Sequence, residues 1–257
     1  MKSFSFSILL FFIANSSVSA QTYTEILGRP TNTTITMSIL FDQKADVYWE
    51  IGTAPATYTF STPTYTTVVD SPLVVDFTNL APNIKYYYRT RYRANGSGSG
   101  FLMGTEHSFH TPRPAGSTFS FAIEADPHLD TNSNPSSYTL TLQNILSKSP
   151  DFLIDLGDIF MSEKLPVINP TEITNRHLLY RPYFNITCPS MPLYLVLGNH
   201  EGELGWMING SDTSLPVRAS NIRKIYYPNP LPNAFYTGDT IAAVSYTHLT
   251  LPTKRIV

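Results

Sequence analysis

At 257 residues, 42% of them hydrophobic and 13% aromatic, the chain is long enough to fill two cores of ordinary size. A formal charge of -2 and the absence of any Lys/Arg run argue against nucleic acid or an anionic membrane surface as the main partner. Only 14% of residues are charged while Thr, Ser, Tyr and Pro abound, a composition that suits β-rich structure in an extracellular protein.

Residues 1–20 have the layout of a secretory signal peptide: a positive start at Lys2, an apolar core from Ile8 to Ala14, and small residues at Val18-Ser19-Ala20. The apolar core is far shorter than the roughly 18 residues a spanning helix needs. The mature protein is therefore expected outside the cytoplasm, secreted or periplasmic, with no membrane span. Cys188 is the only cysteine, so no internal disulfide is expected, and a packed or half-exposed thiol is its ordinary reading. Asn-x-Ser/Thr sites stand at Asn32, Asn95, Asn185 and Asn209.

From residue 21 to 112 the pattern predicts a β-sandwich. Ile35, Met37, Ile39 and Phe41 alternate with Thr34, Thr36 and Ser38, and Val47, Trp49 and Ile51 repeat the period of two. Turn clusters at Asp42-Gln43-Lys44, Gly52 to Pro55 and Asn95 to Gly100 separate the runs. The segment with Leu80, Pro82, Tyr86 and Tyr88 resembles fibronectin type III domains, in which a tyrosine pins the corner between two sheets.

A linker at Pro112 to Gly116 leads into an α/β domain expected over 117–243. Thr118 to Ala125 reads as a buried strand. Asn134-Pro135 starts a helix that places Tyr138, Leu142, Ile145 and Leu146 on one face and ends at Pro150. Asp151 to Leu156 is a second strand, Asn169-Pro170-Thr171-Glu172 a capped helix start, and Pro192 to Leu197 a third strand. Alternating strand and helix implies parallel neighbours with crossover helices.

Each strand ends in residue types that bind metals: Asp126-Pro127-His128, then Gly157-Asp158, then Gly198-Asn199-His200-Glu201. In a parallel sheet these ends share the edge where α/β proteins place ligands. The three motifs in this order resemble the calcineurin-like metallophosphoesterases. The resemblance implies two metal ions, with Asp126 and His128 on the first, Asp158 bridging both, Asn199 on the second, and His200 unligated and facing the scissile phosphate. Two divalent ions about 4 Å apart can hold a hydroxide between them and clamp a phosphate ester for in-line attack. The mixed O and N donors suit Mn, Fe, Zn or Co. Asp155 and Glu201 are read as carboxylates behind the ligands that orient them or the loop backbone.

A sandwich ahead of such a domain is similar to the purple acid phosphatases. That family, however, carries a tyrosinate three residues after the second-motif aspartate, where this chain has Met161, and it lacks a histidine at the position of His128. The resemblance to the wider phosphoesterase family also implies later histidines, one after the Gly-Asn-His-Glu loop and a Gly-His-x-His pair. After His200 the only histidine is His248, within residues 244–257, a stretch that resembles a translated sequencing adapter. The expectation is a truncated α/β domain, nearly inactive as an isolated chain, from a parent phosphoesterase acting on small-molecule phosphate mono- or diesters. The alternative is an extracellular binding module on a degenerate phosphoesterase scaffold. His107, His110 and His177 read as structural histidines. Trp206, Tyr226, Tyr227, Phe235 and Tyr236 read as packing residues, or as the floor of a substrate cleft.

Overall fold

The computed structural model describes residues 21–129, 133–200, 209–211 and 213–237. The expected signal peptide, Glu201, Trp206, His248 and the stretch 244–257 lie outside these residues.

Eight strands precede Pro112: β1 Tyr23–Gly28, β2 Ile35–Phe41, β3 Ala45–Gly52, β4 Phe60–Ser61, β5 Tyr65–Thr66, β6 Leu73–Phe77, β7 Lys85–Ala94 and β8 Leu102–His110. They form two antiparallel sheets, one in the order β1-β2-β6 and one in the order β4-β3-β7-β8, with β5 also paired to β3. The alternating apolar residues meet between the sheets, Met37, Ile39 and Phe41 packing in one cluster with Val47, Trp49, Ile51 and Tyr88. The backbone N–H of Ala81 donates to the Tyr86 hydroxyl at 2.8 Å, closing the expected tyrosine corner.

The polar positions of β2 depart from simple alternation, because Thr36 and Ser38 are buried too. Thr36 donates to Asp76 across the β2–β6 pair, and Ser38 meets Arg181 of the following domain. A strand buried on both faces needs partners for its polar side chains, and both have them.

The second domain alternates as expected: β9 Phe121–Glu124, α1 Pro135–Lys148, β10 Phe152–Asp155, α2 Pro170–Thr187, β11 Leu193–Leu195 and α3 Leu215–Tyr226. The strands run parallel in the order β11-β10-β9 and are shorter than their apolar runs. Asn134 caps α1 by accepting from the N–H groups of Ser136 and Ser137, and Asn169 caps α2 by accepting from Glu172. Ser149, left-handed at φ 49°, ends α1 ahead of Pro150. Tyr138 and Leu142 are buried as predicted, and Ile145 packs against the core, but Leu146 is 37% exposed, just beyond the covered stripe.

Ala122, Leu153, Leu193 and Leu195 face the helices, whereas Phe121 and Ile123 are 46% and 56% exposed on the opposite face. There Phe119, Phe121 and Phe152 stack with centroids 5.3–6.1 Å apart. Among the described residues no helix is long and apolar enough to cross a membrane.

The two domains share a polar seam. Leu27 N–H donates to the Cys188 carbonyl at 2.9 Å, the Tyr88 hydroxyl to the Pro189 carbonyl at 2.8 Å, and Glu25 N–H to the Asn185 side chain at 2.7 Å. Arg181, fully buried in α2, fans its guanidinium onto Thr24 and Ser38 of the sandwich and onto the Tyr226 carbonyl of α3. Cys188 is a free, fully buried thiol whose pKa burial raises. His177 is likewise fully buried, boxed by the rings of Phe160, Tyr226 and Tyr227.

Candidate metal centre

The three parallel strands deliver their C-terminal ends to one edge, where Glu124, Asp155 and Leu195 are register partners. The ladder then continues through the loops. Leu156 N–H donates to the Glu124 carbonyl at 2.9 Å and Val196 N–H to the Asp155 carbonyl at 2.7 Å. One step further, Asp126 N–H donates to the Gly157 carbonyl at 3.1 Å and His128 N–H to the Asp158 carbonyl at 3.2 Å. Ile159 and Phe160 plug into the core immediately after Asp158 and anchor that loop.

Asp126, His128 and Asp158 converge. His128 Nε2 lies 3.2 Å from Asp126 Oδ1 and 3.7 Å from Asp158 Oδ2, and one ligand atom from each residue falls within 4.8 Å of the others. Among the described residues this is the one cluster of three His, Cys, Asp or Glu with such spacing. Donor atoms held about 2.1 Å from one ion stand about 3 to 3.5 Å apart, so the triad needs little closure to fit a divalent ion.

The backbone carries a matching signature. Asp126, His128 and Asp158 have φ of 56°, 42° and 55°, in the left-handed region that non-glycine residues rarely occupy. Three successive motif residues held this way store strain at one point, a pattern that marks functional sites.

The third loop closes over the other two. His200 N–H donates to Asp158 Oδ1 at 2.9 Å, and the His200 carbonyl accepts from Ser162 N–H at 2.6 Å. The His200 ring stands edge-on to His128 with centroids 5.5 Å apart. Asn199 is exposed on this loop beside His200. Met161 sits at the start of a 3-10 turn over Ser162–Lys164.

Asp155 is fully buried behind the site, where its Oδ1 accepts from Gly157 N–H at 2.7 Å. Beside it stands Glu124, which the sequence reading missed. Its signal was its parity with inward-facing Ala122 in β9, a strand position where a carboxyl is out of place. Burial foremost pushes the Glu124 pKa up to about 7, despite hydrogen bonds to Asp155 and to the Tyr138 hydroxyl.

The described later aromatic residues lie away from this site, Tyr236 bonding to Pro30 and standing beside Tyr194. Tyr226 and Tyr227 are core residues, and Phe235 lines a cavity of about 340 Å³ together with Phe152, Pro192 and Tyr194, towards the opposite end of the strands.

The chain is similar in fold to two solved structures, at 17% identity each. One is PhoD, with a TM-score of 0.61 over 82% of this chain and 47% of that one. The other is a purple acid phosphatase from yellow lupin (Lupinus luteus) seeds, with a TM-score of 0.60 over 83% of this chain and 42% of that one. The chain thus spans less than half the length of either structure. No curated protein matches it. The sequence model for calcineurin-like phosphoesterases matches residues 119–249, which take in the strands, the triad and the His200 loop. The chain belongs to the calcineurin-like phosphoesterase family.

Proposed function

We propose that these loops form the metal centre of a secreted hydrolase of small-molecule phosphate mono- or diesters, with residues 21–112 as a fibronectin type III-like sandwich and 117–243 as the catalytic domain. The convergence of Asp126, His128 and Asp158 at the strand ends of a calcineurin-like domain carries this reading. In it, Asp126, His128 and Asp158 would hold a first ion, Asp158 would be shared with a second, and Asn199 would bind that second ion; Mn, Fe, Zn or Co would suit these donors. When bound, they act as Lewis acids on the attacking water and the phosphoryl oxygens.

The protein's own groups have distinct tasks. Asp158, the least exposed of the three ligands, supplies the negative charge that offsets repulsion between two cations. His200, tied through its backbone to Asp158 and Ser162, presents its imidazole beside His128, where it stabilises phosphate charge or protonates the leaving oxygen. Asp155 fixes the turn that carries Asp158. Export follows from the signal peptide read at residues 1–20.

The test is hydrolysis of 4-nitrophenyl phosphate and bis(4-nitrophenyl) phosphate by the parent gene product, before and after chelator treatment. Activity that disappears with chelator, returns with one of the four metals and falls at least about a hundredfold in His200→Ala supports the reading. Metal-independent hydrolysis, or none with any metal, contradicts it.

A further inference from the structure

The loop that carries His128 is tied to its neighbours on both sides of that residue. On the amino side, Asp126 N–H donates to the Gly157 carbonyl at 3.1 Å and His128 N–H to the Asp158 carbonyl at 3.2 Å. Leu129 N–H continues the series to the Ile159 carbonyl at 3.3 Å, and the buried Leu129 side chain packs in the core with Ile159 and Phe160. On the carboxyl side, the His128 carbonyl accepts a hydrogen bond from the Ser133 hydroxyl. Ser133 is half-buried and immediately precedes Asn134, whose side chain caps α1 by accepting from the N–H groups of Ser136 and Ser137. The Ser133 hydroxyl thus connects the backbone of His128 to the capped start of a 14-residue helix.

The tie matters because of the backbone it holds. His128 has φ 42°, and a left-handed backbone costs a residue with a β-carbon about as much as one hydrogen bond contributes. The bonds to its N–H and to its carbonyl therefore both help to keep it there. With the second bond gone, the peptide after His128 can turn and φ can relax to a negative value, and the direction of the side chain changes with it. That relaxation would carry the imidazole away from Asp126 Oδ1 and Asp158 Oδ2, which Nε2 now meets at 3.2 and 3.7 Å.

We propose that Ser133 is a positioning residue of the metal centre: its hydroxyl holds the His128 carbonyl, keeps that residue in its left-handed conformation, and so aims the imidazole at the point where Asp126 and Asp158 converge. This rests on the reading of Asp126, His128 and Asp158 as ligands. Ser133 acts through the backbone of His128, as groups behind metal ligands do when they fix the orientation of the ligand in front of them.

The test is Zn(II) and Mn(II) affinity of the parent gene product by isothermal titration calorimetry, with thermal unfolding of each metal-free variant alongside. Ser133→Ala removes the hydroxyl and is expected to weaken binding about three- to tenfold, the equivalent of one hydrogen bond, with its unfolding midpoint little changed because the loop relaxes locally. Ser133→Thr keeps the hydroxyl and should bind within about twofold of wild type. In a His128→Ala background, where there is no imidazole to aim, Ser133→Ala should cost less than about twofold. Wild-type affinity in Ser133→Ala, an equal loss in the Ala and Thr variants, or an undiminished loss in the His128→Ala background overturns the proposal. Absence of binding by the wild type overturns the ligand reading and this proposal with it, a result distinct from wild-type binding that Ser133→Ala leaves intact.

Discussion

A β-carbon placed on Gly157 would lie 2.1 Å from the backbone nitrogen of Gly198. The two glycines that precede Asp158 and Asn199 therefore pack backbone against backbone, which is how the second and third loops come close enough for His200 N–H to reach Asp158. Gly157 also has φ 88°, so it meets two demands that only glycine satisfies.

Gly157→Ala should consequently cost about 2–5 kcal/mol, from left-handed strain plus overpacking against immovable backbone. Gly96, at φ 75° with nothing near its absent β-carbon, provides the control, and Gly96→Ala should cost only about 1 kcal/mol. Urea denaturation of both variants checks the difference. Equal costs would show that the glycine contact is not what constrains the loop.

Among the described residues Arg181 joins the domains without a carboxylate partner, and burial lowers its pKa to about 10. Its guanidinium instead satisfies the carbonyls of Thr24, Ser38 and Tyr226 and the hydroxyls of Thr24 and Ser38. Arg181→Met would strand two buried carbonyls and one half-buried one while relieving the cost of a buried cation. The expected net loss is about 2–4 kcal/mol, with the sandwich and the α/β domain unfolding in separate transitions. A single transition at the wild-type midpoint would contradict the clamp.

His177 sets an acid limit on stability. Burial foremost, then the neighbouring Arg223, lowers its pKa to about 3, while Phe160, Tyr226 and Tyr227 enclose the ring. The unfolded chain takes up a proton near pH 6.5 that the folded chain refuses until about pH 3. The contribution of neutral His177 is therefore complete above pH 6.5 and is lost as pH falls towards 3. His177→Phe should leave activity unchanged and, between pH 7 and pH 4, lose about 3 kcal/mol less stability than the wild type. Parallel pH–stability curves would mean the imidazole is not held neutral.

Much of this arrangement was legible in the chain. Period-two runs, the Asn134 and Asn169 caps and the polar residues at the end of each apolar run are enough to place Asp126, His128, Asp158 and His200 on one edge. Strand ends could not be located to the residue, because apolar runs such as Pro192 to Leu197 extend past the hydrogen-bonded Leu193–Leu195 into the loop. The burial of Thr36 and Ser38 depends on Arg181, more than 140 residues away, and local alternation carries no trace of it. Glu124 was hidden for the same reason: its partner Asp155 is brought alongside only by the register of β9 and β10. The left-handed backbone at Asp126, His128 and Asp158 was not legible either: Asp and His enter that region more readily than most residues, but residue type alone does not say which of them will.

The most direct test of the central claim is a Zn(II) and Mn(II) binding isotherm for the parent gene product, compared with its Asp158→Ala variant. Saturable binding by the wild type that falls at least about tenfold in Asp158→Ala, with the variant still folded, is the predicted result. Equal binding by both proteins, or none by the wild type with any of Mn, Fe, Zn and Co, would contradict the assignment of Asp126, His128 and Asp158 as a metal centre.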